Sequence, residues 1–478
     1  MPGLDLTSVK KILVIRPDAI GDMVTATPAI GALREKFPEA EIVVWGRRYN
    51  RPVIENNPDI DRIIEDDLYP LIRQRQPIGW SRYWRWAKAI RQEHYDLAIN
   101  FSGEFAYALI IFLAGVRYRI GDKGRLLYRW LYNYPVLQRF NSWAVHEVEH
   151  HFELLAPLGI KLKPDAKLKV IPAAASVAAG QKLIAEHGLK GKPLIAFNIG
   201  TSGSDKPWAL NKFSELITLV ARQYRTKVIV LGGPNEKPLI EAIASRISGQ
   251  AVVLLDLSLA DLIGLLSQMQ VYVANNTGPA HLAAALQVPS VILYTSKFQK
   301  PGRWAPWANR HKIIKAVSSC PYPCRPPTCN YNLCTAEIGT AEVAQAIADL
   351  LGGQGGLFPA EEKMERLRLS LNILVCGDDQ RAKRIVAILQ SQAWRVWHIP
   401  EDKLKRMSLF DLRDFYHLYD INLIHAFAHT PLKVKVSALL TGLTMAFPVF
   451  YLSDDGSDFT GIGDLADHYQ SRSNQRVF

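Results

Sequence analysis

The sequence predicts an α/β protein made of two successive parallel-sheet domains that face a cleft, with a smaller α/β region at the carboxyl end. Three observations predict it. Short β-branched apolar runs alternate with amphipathic stretches of helical period along most of the chain. The composition changes around residues 164–172, where the strand and helix series starts afresh. Turns rich in Gly, Asn, Ser and Thr follow several strands, the place where open α/β sheets bind ligands.

The clearest unit is VYVANNTGPAHLAAAL, residues 271–286. VYVA reads as a buried strand and the stretch from Ala280 as an apolar helix. Between them Asn275, Asn276, Thr277 and Gly278 offer turn and N-cap chemistry. Pro279 suits the first helical position, where its missing N–H costs nothing. The N–H groups of Gly278 and Ala280 then point out of a helix N-terminus at the carboxyl end of a strand, a ready phosphate site. An ordinary strand, turn and helix is the plain alternative. His281 and a second stretch weigh against it: NIGTSGSDKPW, residues 198–208, follows a strand and holds small flexible residues, hydroxyls and Lys206. Glycine-rich backbone with one lysine is how loops cradle a diphosphate.

A chain of 478 residues has room for two or three domains with full cores. Its net charge of +12 favours an anionic partner. No RNA-recognition, helix-turn-helix or zinc-finger pattern is present, so nucleic acid ranks below an acidic membrane surface or a phosphorylated substrate. The opening MPGLDLTSVKK lacks the apolar core of a signal peptide. The apolar runs at 105–116 and 437–452 are too short to span a bilayer, and Pro448 breaks the second. Five cysteines without a signal peptide fit a reducing compartment. The expectation is a cytoplasmic protein able to touch a membrane surface.

In chain order, KKILVIR (10–16) is a basic-flanked strand. The loop PDAIGD follows, then a helix from about 23 to 36 and a strand at 41–45. The loop lacks the G-x-G-x-x-G of a dinucleotide fold and carries Asp18 and Asp22 instead. Asp22 reads equally as a helix cap or as a general base at the mouth of a cleft. Arg47, Arg48 and Arg51 follow the second strand. DLAINF (96–101) is another strand, and 105–114 a buried helix closed by Gly115. The basic run Arg117, Arg119, Lys123, Arg125 and Arg129 reads either as a solvated face or as a surface for an anionic acceptor.

The second series places strands at 192–197, 227–232, 252–255 and 290–294, and helices at 211–224, 235–247 and 258–267. A last helix covers 340–351, with Thr340 as N-cap. GGQGG, 352–356, is a linker. Beyond it, stretches at 372–376, 394–399, 422–427 and 448–452 read as strands, with a helix at 381–390. This tail carries no phosphate turn of its own. His425 and His429 read as packing and turn residues. Cys320, Cys324, Cys329 and Cys334 crowd one Pro-rich loop, where structural or free thiols are favoured over a zinc knot because paired C-x2-C spacing is absent.

These motifs together resemble the heptosyltransferase-type enzymes of glycosyltransferase family nine. ILVIRPDAIGDMVTATPAIGALREKFPEAEI is similar to that family's opening, which implies that Asp22 is the catalytic base. IAFNIGTSGSDKPW resembles its nucleotide loop and implies Thr201, Ser202 and Lys206 near the diphosphate. VLGGPNE implies Glu236 at the ribose or base, and VANNTGPAHLAAAL implies Asn276, Thr277, Gly278 and His281 at the donor. Asn276 stands where the family commonly has aspartate. An amide both accepts and donates, and it carries no charge.

The resemblance implies a GT-B fold, two Rossmann-like domains at 10–172 and 173–351. A linker at 352–369 and an added α/β domain at 370–478 would follow. It implies an inverting transfer, without metal or other cofactor, of heptose from ADP-heptose to a lipopolysaccharide-like glycolipid at the inner membrane. Lys206 would then stabilise the leaving diphosphate, and Arg47, Arg119, Lys123 and Arg125 would receive the acceptor. A nucleotide-sugar epimerase of the same fold and a non-catalytic nucleotide-sugar-binding protein are the alternatives.

Overall fold

The computed structural model describes residues 5–124, 127–138, 145–201, 206–296, 299–316 and 333–352, and four further strands between 372 and 451. The first sheet holds β1 (Lys11–Ile15), β2 (Glu41–Gly46), β3 (Arg62–Glu65), β4 (Leu97–Asn100), β5 (Tyr118–Asp122) and β6 (Tyr134–Val136). All run parallel, in the order β3-β2-β1-β4-β5-β6. The second holds β7 (Ile195–Asn198), β8 (Val228–Gly232), β9 (Ala251–Leu255), β10 (Val271–Asn275), β11 (Ser290–Tyr294) and β12 (His311–Lys315). Its order, β12-β11-β10-β7-β8-β9, is the same topology counted from the other edge. Each sheet therefore reverses direction once, between β1 and β4 and between β7 and β10. A crevice opens at such a reversal, outside the carboxyl ends of the strands.

Burial follows from these sequences. In β1, KILVI, the four residues after Lys11 are buried, as expected of a central parallel strand covered on both faces. One face of the first sheet, with Ile12, Val14, Ile42 and Val44, packs under the helix Ile20–Lys36. The other, with Leu13, Ile15, Val43 and Trp45, packs under the helices Trp80–Gln92 and Phe105–Leu113.

The helix Ile20–Lys36 starts three residues earlier than expected, so Asp22 lies in its first turn. It continues through Pro28, which leaves the Val24 carbonyl without its helical donor. The Thr27 hydroxyl donates to that carbonyl at 2.7 Å. Ser258 caps its helix as expected, its Oγ accepting from the Asp261 N–H at 3.1 Å. Thr340 does not cap: Gly339 holds the N-cap position, and Thr340 donates to Glu215 from the first helical position. The helix Phe105–Leu113 is only partly buried, since Phe105 and Phe112 are exposed.

In the tail, β13 (Asn372–Cys376), β14 (Arg395–Ile399), β15 (Leu423–Ala426) and β16 (Val449–Tyr451) form a parallel sheet ordered β14-β13-β15-β16. This sheet reverses after two strands instead of three, so it is not a third copy of the preceding topology. The expected linker beyond Gly352, the helix at 381–390 and His429 lie outside the described residues.

The helices Ala174–Glu186 and Leu259–Leu266 cross at two glycines. A Cβ on Gly264 would stand 2.1 Å from the Ser176 carbonyl oxygen, and one on Gly180 would stand 2.9 Å from the Leu265 Cα. Both neighbours are backbone and cannot rotate away. Gly264→Ala is expected to cost about 1–3 kcal/mol of stability by urea unfolding. An unchanged midpoint would mean that the two helices separate freely.

Candidate active site

Strands β1, β4, β7 and β10 flank the two reversals, and asparagines hold three of the loops that leave them. Asn100 Oδ1 accepts from the Gly103 N–H at 3.2 Å. Asn198 Oδ1 accepts from the Gly200 N–H at 3.1 Å. Asn275 accepts from the Trp208 N–H at 3.0 Å and donates to the Ile199 carbonyl at 2.7 Å, tying the loop after β7 to the end of β10. An amide serves here because each loop presents both donors and acceptors.

At the end of β1 the chain places Arg16 under the amino end of the helix Ile20–Lys36. Its side chain is 3% exposed and meets Asp18 at 3.1 Å, Asp22 at 2.8 Å and Glu147 at 2.8 Å. It also donates to the Phe101 carbonyl at the end of β4. Asp22 Oδ2 accepts from the Ala19 N–H at 3.1 Å, so this carboxylate caps its own helix while its other oxygen holds Arg16. Glu147 turns its second oxygen to Arg303 at 2.8 Å, on the segment after β11. One buried carboxylate thus joins the two units.

Two guanidiniums face three carboxylates, and the excess charge governs protonation. Burial works against the charge of Glu147, but Arg303 and Arg16 outweigh it and hold the carboxyl well below its usual range. Burial pushes Asp18 up to about 7 against the pull of Arg16. Asp22 is also raised by burial, with Arg16 opposing. Its side chain is 22% exposed, enough to reach a reactant. The groups titrate as a set, and burial raises both Asp18 and Asp22 above the ordinary carboxylate range.

The opposing wall comes from the second unit. The helix Gly278–Ala285 follows β10, and its amino end abuts that of Ile20–Lys36. A Cβ on Gly278 would stand 3.2 Å from Ile20 Cβ and 3.5 Å from the Gly21 nitrogen, while one on Gly21 would stand 2.7 Å from the His281 ring. His281 is buried, and burial lowers it to about 4, so it is neutral. Its Nδ1 has no hydrogen-bond partner among the described residues.

Details of the turn differ from expectation. Thr277 occupies the N-cap position but makes no side-chain cap bond, Gly278 is the first helical residue, and Pro279 the second. The Ala280 N–H donates to the Thr277 carbonyl at 3.0 Å and is not a free phosphate donor. The half-buried Asn276 keeps its amide side chain at the turn, while its N–H goes to the Leu293 carbonyl. Thr201 is buried in the loop after β7. Lys206 is half-buried there, its carbonyl fixed by the Thr295 hydroxyl at 2.6 Å. Glu236, after β8, accepts from the Gly233 N–H at 2.7 Å and lies against Gly200. The second unit therefore brings Thr201, Lys206, Glu236, Asn276, Thr277, Gly278 and His281 to the carboxyl ends of its strands. Ser202 lies outside the described residues.

The residues expected at an acceptor do not share one surface. Arg47 lines a cavity of 410 Å³ with Arg48, Tyr49, Asp66, Pro70, Arg73 and Gln74, after β2 and β3. Arg119 sits in the first half of β5, away from the carboxyl ends of the strands, and its guanidinium donates to the Leu131 and Val116 carbonyls. Lys123 follows β5 at the carboxyl end, and Arg125 lies outside the described residues. Among the four crowded cysteines only Cys334 is described, with a half-buried free thiol. Arg16, Asp18, Glu147 and Arg303 were not expected at the centre. The signal for Glu147 was HEVEHHFEL, whose density of acids and imidazoles is unusual for a helix that buries six of its eight residues.

Comparison with known proteins agrees with this geometry. Residues 83–334, just over half the chain, match the model of glycosyltransferase family 9 (heptosyltransferase). Lipopolysaccharide heptosyltransferase 2 of Salmonella typhimurium is 26% identical over 317 residues, 64% of this chain and 88% of its own. The glycosyl transferase family 9 structure from Veillonella parvula superposes with a TM-score of 0.63 at 20% identity, over 74% of this chain and 99% of that one. The structure of E. coli ADP-heptose lps heptosyltransferase II gives 0.58 at 21%, over 72% and 99%. Two facing doubly wound units of this kind are the GT-B fold, and the chain is a glycosyltransferase of that architecture. It belongs to glycosyltransferase family 9. The matched stretch contains the loops after β7 and β10, whereas Arg16 and Asp22 precede it.

The raised Asp18 has a measurable consequence. Asp18 ionises near its ordinary value of 3.8 when unfolded but only at about 7 when folded. Its contribution to stability is therefore complete below about pH 4 and lost as pH rises toward 7. Asp18→Asn cannot ionise and is expected to remove this part of the slope. The check is urea unfolding of both proteins at about pH 5 and about pH 7.5; equal pH dependence would place the proton elsewhere. Glu147→Ala leaves Arg303 and Arg16 undercompensated and is expected to cost about 3–5 kcal/mol in the same assay.

Proposed function

We propose that this protein is an inverting, metal-independent heptosyltransferase that moves heptose from ADP-heptose to a lipopolysaccharide core or related glycolipid. The observation that carries the reading is the apposition of two helix N-termini: one bears the partly exposed carboxylate of Asp22, the other the turn of Thr277, Gly278 and His281. The names of the relatives supply the sugar and the nucleotide.

The chemistry follows from that apposition. Asp22 takes the proton of an acceptor hydroxyl as its oxygen attacks the anomeric carbon. The bond from that carbon to the diphosphate breaks on the opposite face, so the configuration inverts and the charge departs on ADP. Lys206 and the amino end of the helix Gly278–Ala285 stabilise that charge, the task a metal performs in other transferases. Burial raises Asp22, which makes it a better base than a surface carboxylate, and Arg16 opposes that rise. A neutral His281 adds an uncharged hydrogen-bonding group beside the turn. Thr201, Ser202, Glu236 and Asn276 hold the nucleotide sugar. Arg47, with Arg48 and Arg73, meets the anionic acceptor in the cavity after β2 and β3. Closing the units excludes water that would hydrolyse the donor. The catalytic cycle runs at the cytoplasmic face of the membrane that carries the acceptor.

Thermal unfolding with ADP, GDP, UDP, CDP and dTDP in EDTA tests the donor site. Ligand at a hundred times its dissociation constant stabilises by about 2.7 kcal/mol. A shift with ADP that disappears in Lys206→Ala is expected; a shift only with another nucleotide would overturn ADP-heptose as donor. Asp22→Asn is expected to keep the ADP shift and lose about 10²–10⁴-fold in kcat. Conversion of the donor to an epimer without transfer, or tight donor binding with no turnover in the unaltered protein, would overturn the transferase reading.

A further inference from the structure

The outer layer of the first sheet is unusually aromatic. The helix Trp80–Gln92 buries only Ala87 and Ile90 fully, and Trp86 leans on Trp45 with ring centroids 4.5 Å apart. Trp80, Trp84, Lys88 and Arg91 recur at successive turns along an exposed stripe beside that contact. Trp80 is 67% exposed and Trp84 is 56% exposed. The helix Phe105–Leu113 packs alongside, joined by the Arg91 guanidinium, which donates to the Leu113 and Ala114 carbonyls. This second helix exposes Phe105 and Phe112. Trp130, 62% exposed, stacks edge-on against Phe112 at 5.6 Å, and Leu127 beside it is 90% exposed. Scattered apolar residues on a surface need no explanation, but six large ones on two neighbouring helices and the adjoining turn do.

Charge selects the occupant. Asp67, the acid at the helix Trp80–Gln92, is occupied by Arg82, Arg85 and the Trp86 N–H. Glu93 is occupied by Lys11 and Arg62. Lys88 and Arg129 are exposed and have no carboxylate partner among the described residues. Indoles with unpaired cations match the boundary of an anionic bilayer, where the rings sit at headgroup level and the cations meet lipid phosphates. Both helices begin at the carboxyl ends of the first sheet, the end that holds the arginine cavity, and they lie on the face away from the second unit. No helix among the described residues is long and apolar enough to cross a membrane, so attachment would be through a surface.

We infer that the face formed by the helices Trp80–Gln92 and Phe105–Leu113 with the turn around Trp130 docks on an anionic lipid surface and sets the acceptor cavity at its edge. The inference builds on the glycolipid-transferase reading, and its test is arranged so that the two fail separately. The full chain is sedimented with vesicles of phosphatidylcholine alone and of phosphatidylcholine with phosphatidylglycerol, without donor or acceptor. Binding is expected only to the anionic vesicles, falling as salt is raised. The double variant Trp80→Ser, Trp84→Ser is expected to weaken it by about tenfold or more, and Lys88→Glu with Arg129→Glu is expected to abolish it. An unchanged thermal shift with ADP in each variant certifies the fold and the donor site independently. Absence of binding to anionic vesicles would overturn the proposal. So would equal binding by all variants, or lipid-free self-association that the tryptophan variant loses, which would assign the face to a second copy. Transfer to a detergent-dispersed acceptor that persists without vesicle binding would overturn the docking alone.

Discussion

The guanidinium of Arg16 occupies the point where the first strand, the first helix and the helix Glu147–Leu154 converge, and the site depends on its charge. Without it, Asp18, Asp22 and Glu147 would be three carboxylates crowded into an interior that repels even one. With it they become a network in which each anion has a cation. The arrangement costs desolvation, and a hydrophobic cluster of equal volume would be at least as stable. Its return is geometric. Asp22 is held at both oxygens, one by Arg16 and one by the Ala19 N–H, so its direction is fixed before any reactant arrives.

The same network reaches across the molecule. Glu147 belongs to a helix that packs on Ile20–Lys36, yet its second oxygen takes Arg303 from the other unit. Nearby, His146 Nε2 lies 2.8 Å from the Ala305 carbonyl, and Trp307 donates to the Ala166 carbonyl at 2.8 Å. The carboxylate that steadies Arg16 therefore also registers where the second unit stands. A change in the distance between the units would therefore alter the charge beside Asp22.

Much of the fold was legible because parallel strands buried on both faces are continuous apolar runs: ILVI, LAIN and VYVA carry no other reading. β3, β6 and β12 escaped because RIIE, YPV and HKIIK are edge strands with few apolar residues, and β5 because YRIGD lies within a basic run. Among site residues, Asp22 and the turn after β10 were legible from local chemistry, small and polar residues placed where a strand ends and a helix begins. Arg16 was not, because a basic residue flanking a strand looks the same whether it faces water or turns inward under three acids. Glu147 was hidden for a related reason, since acids and histidines alternating along a helix suggest a solvated face until the partners packed upon them are known. Arg119 differs in the opposite sense. A run of cations in sequence was read as one surface, but strand geometry turns that side chain to carbonyls at the wrong end of the sheet.

The two units meet at glycines, Gly21 on one side and Gly278 on the other. Gly278 resting on Ile20 and the Gly21 backbone, and Gly21 on a buried imidazole, leave little compressible at the contact, so it behaves as a mechanical stop and not as a spring. The separation of the two helix ends is then set by van der Waals radii and not by side-chain rotamers. A methyl group on either glycine would push the two units apart, by way of Ile20 on one side and the His281 ring on the other.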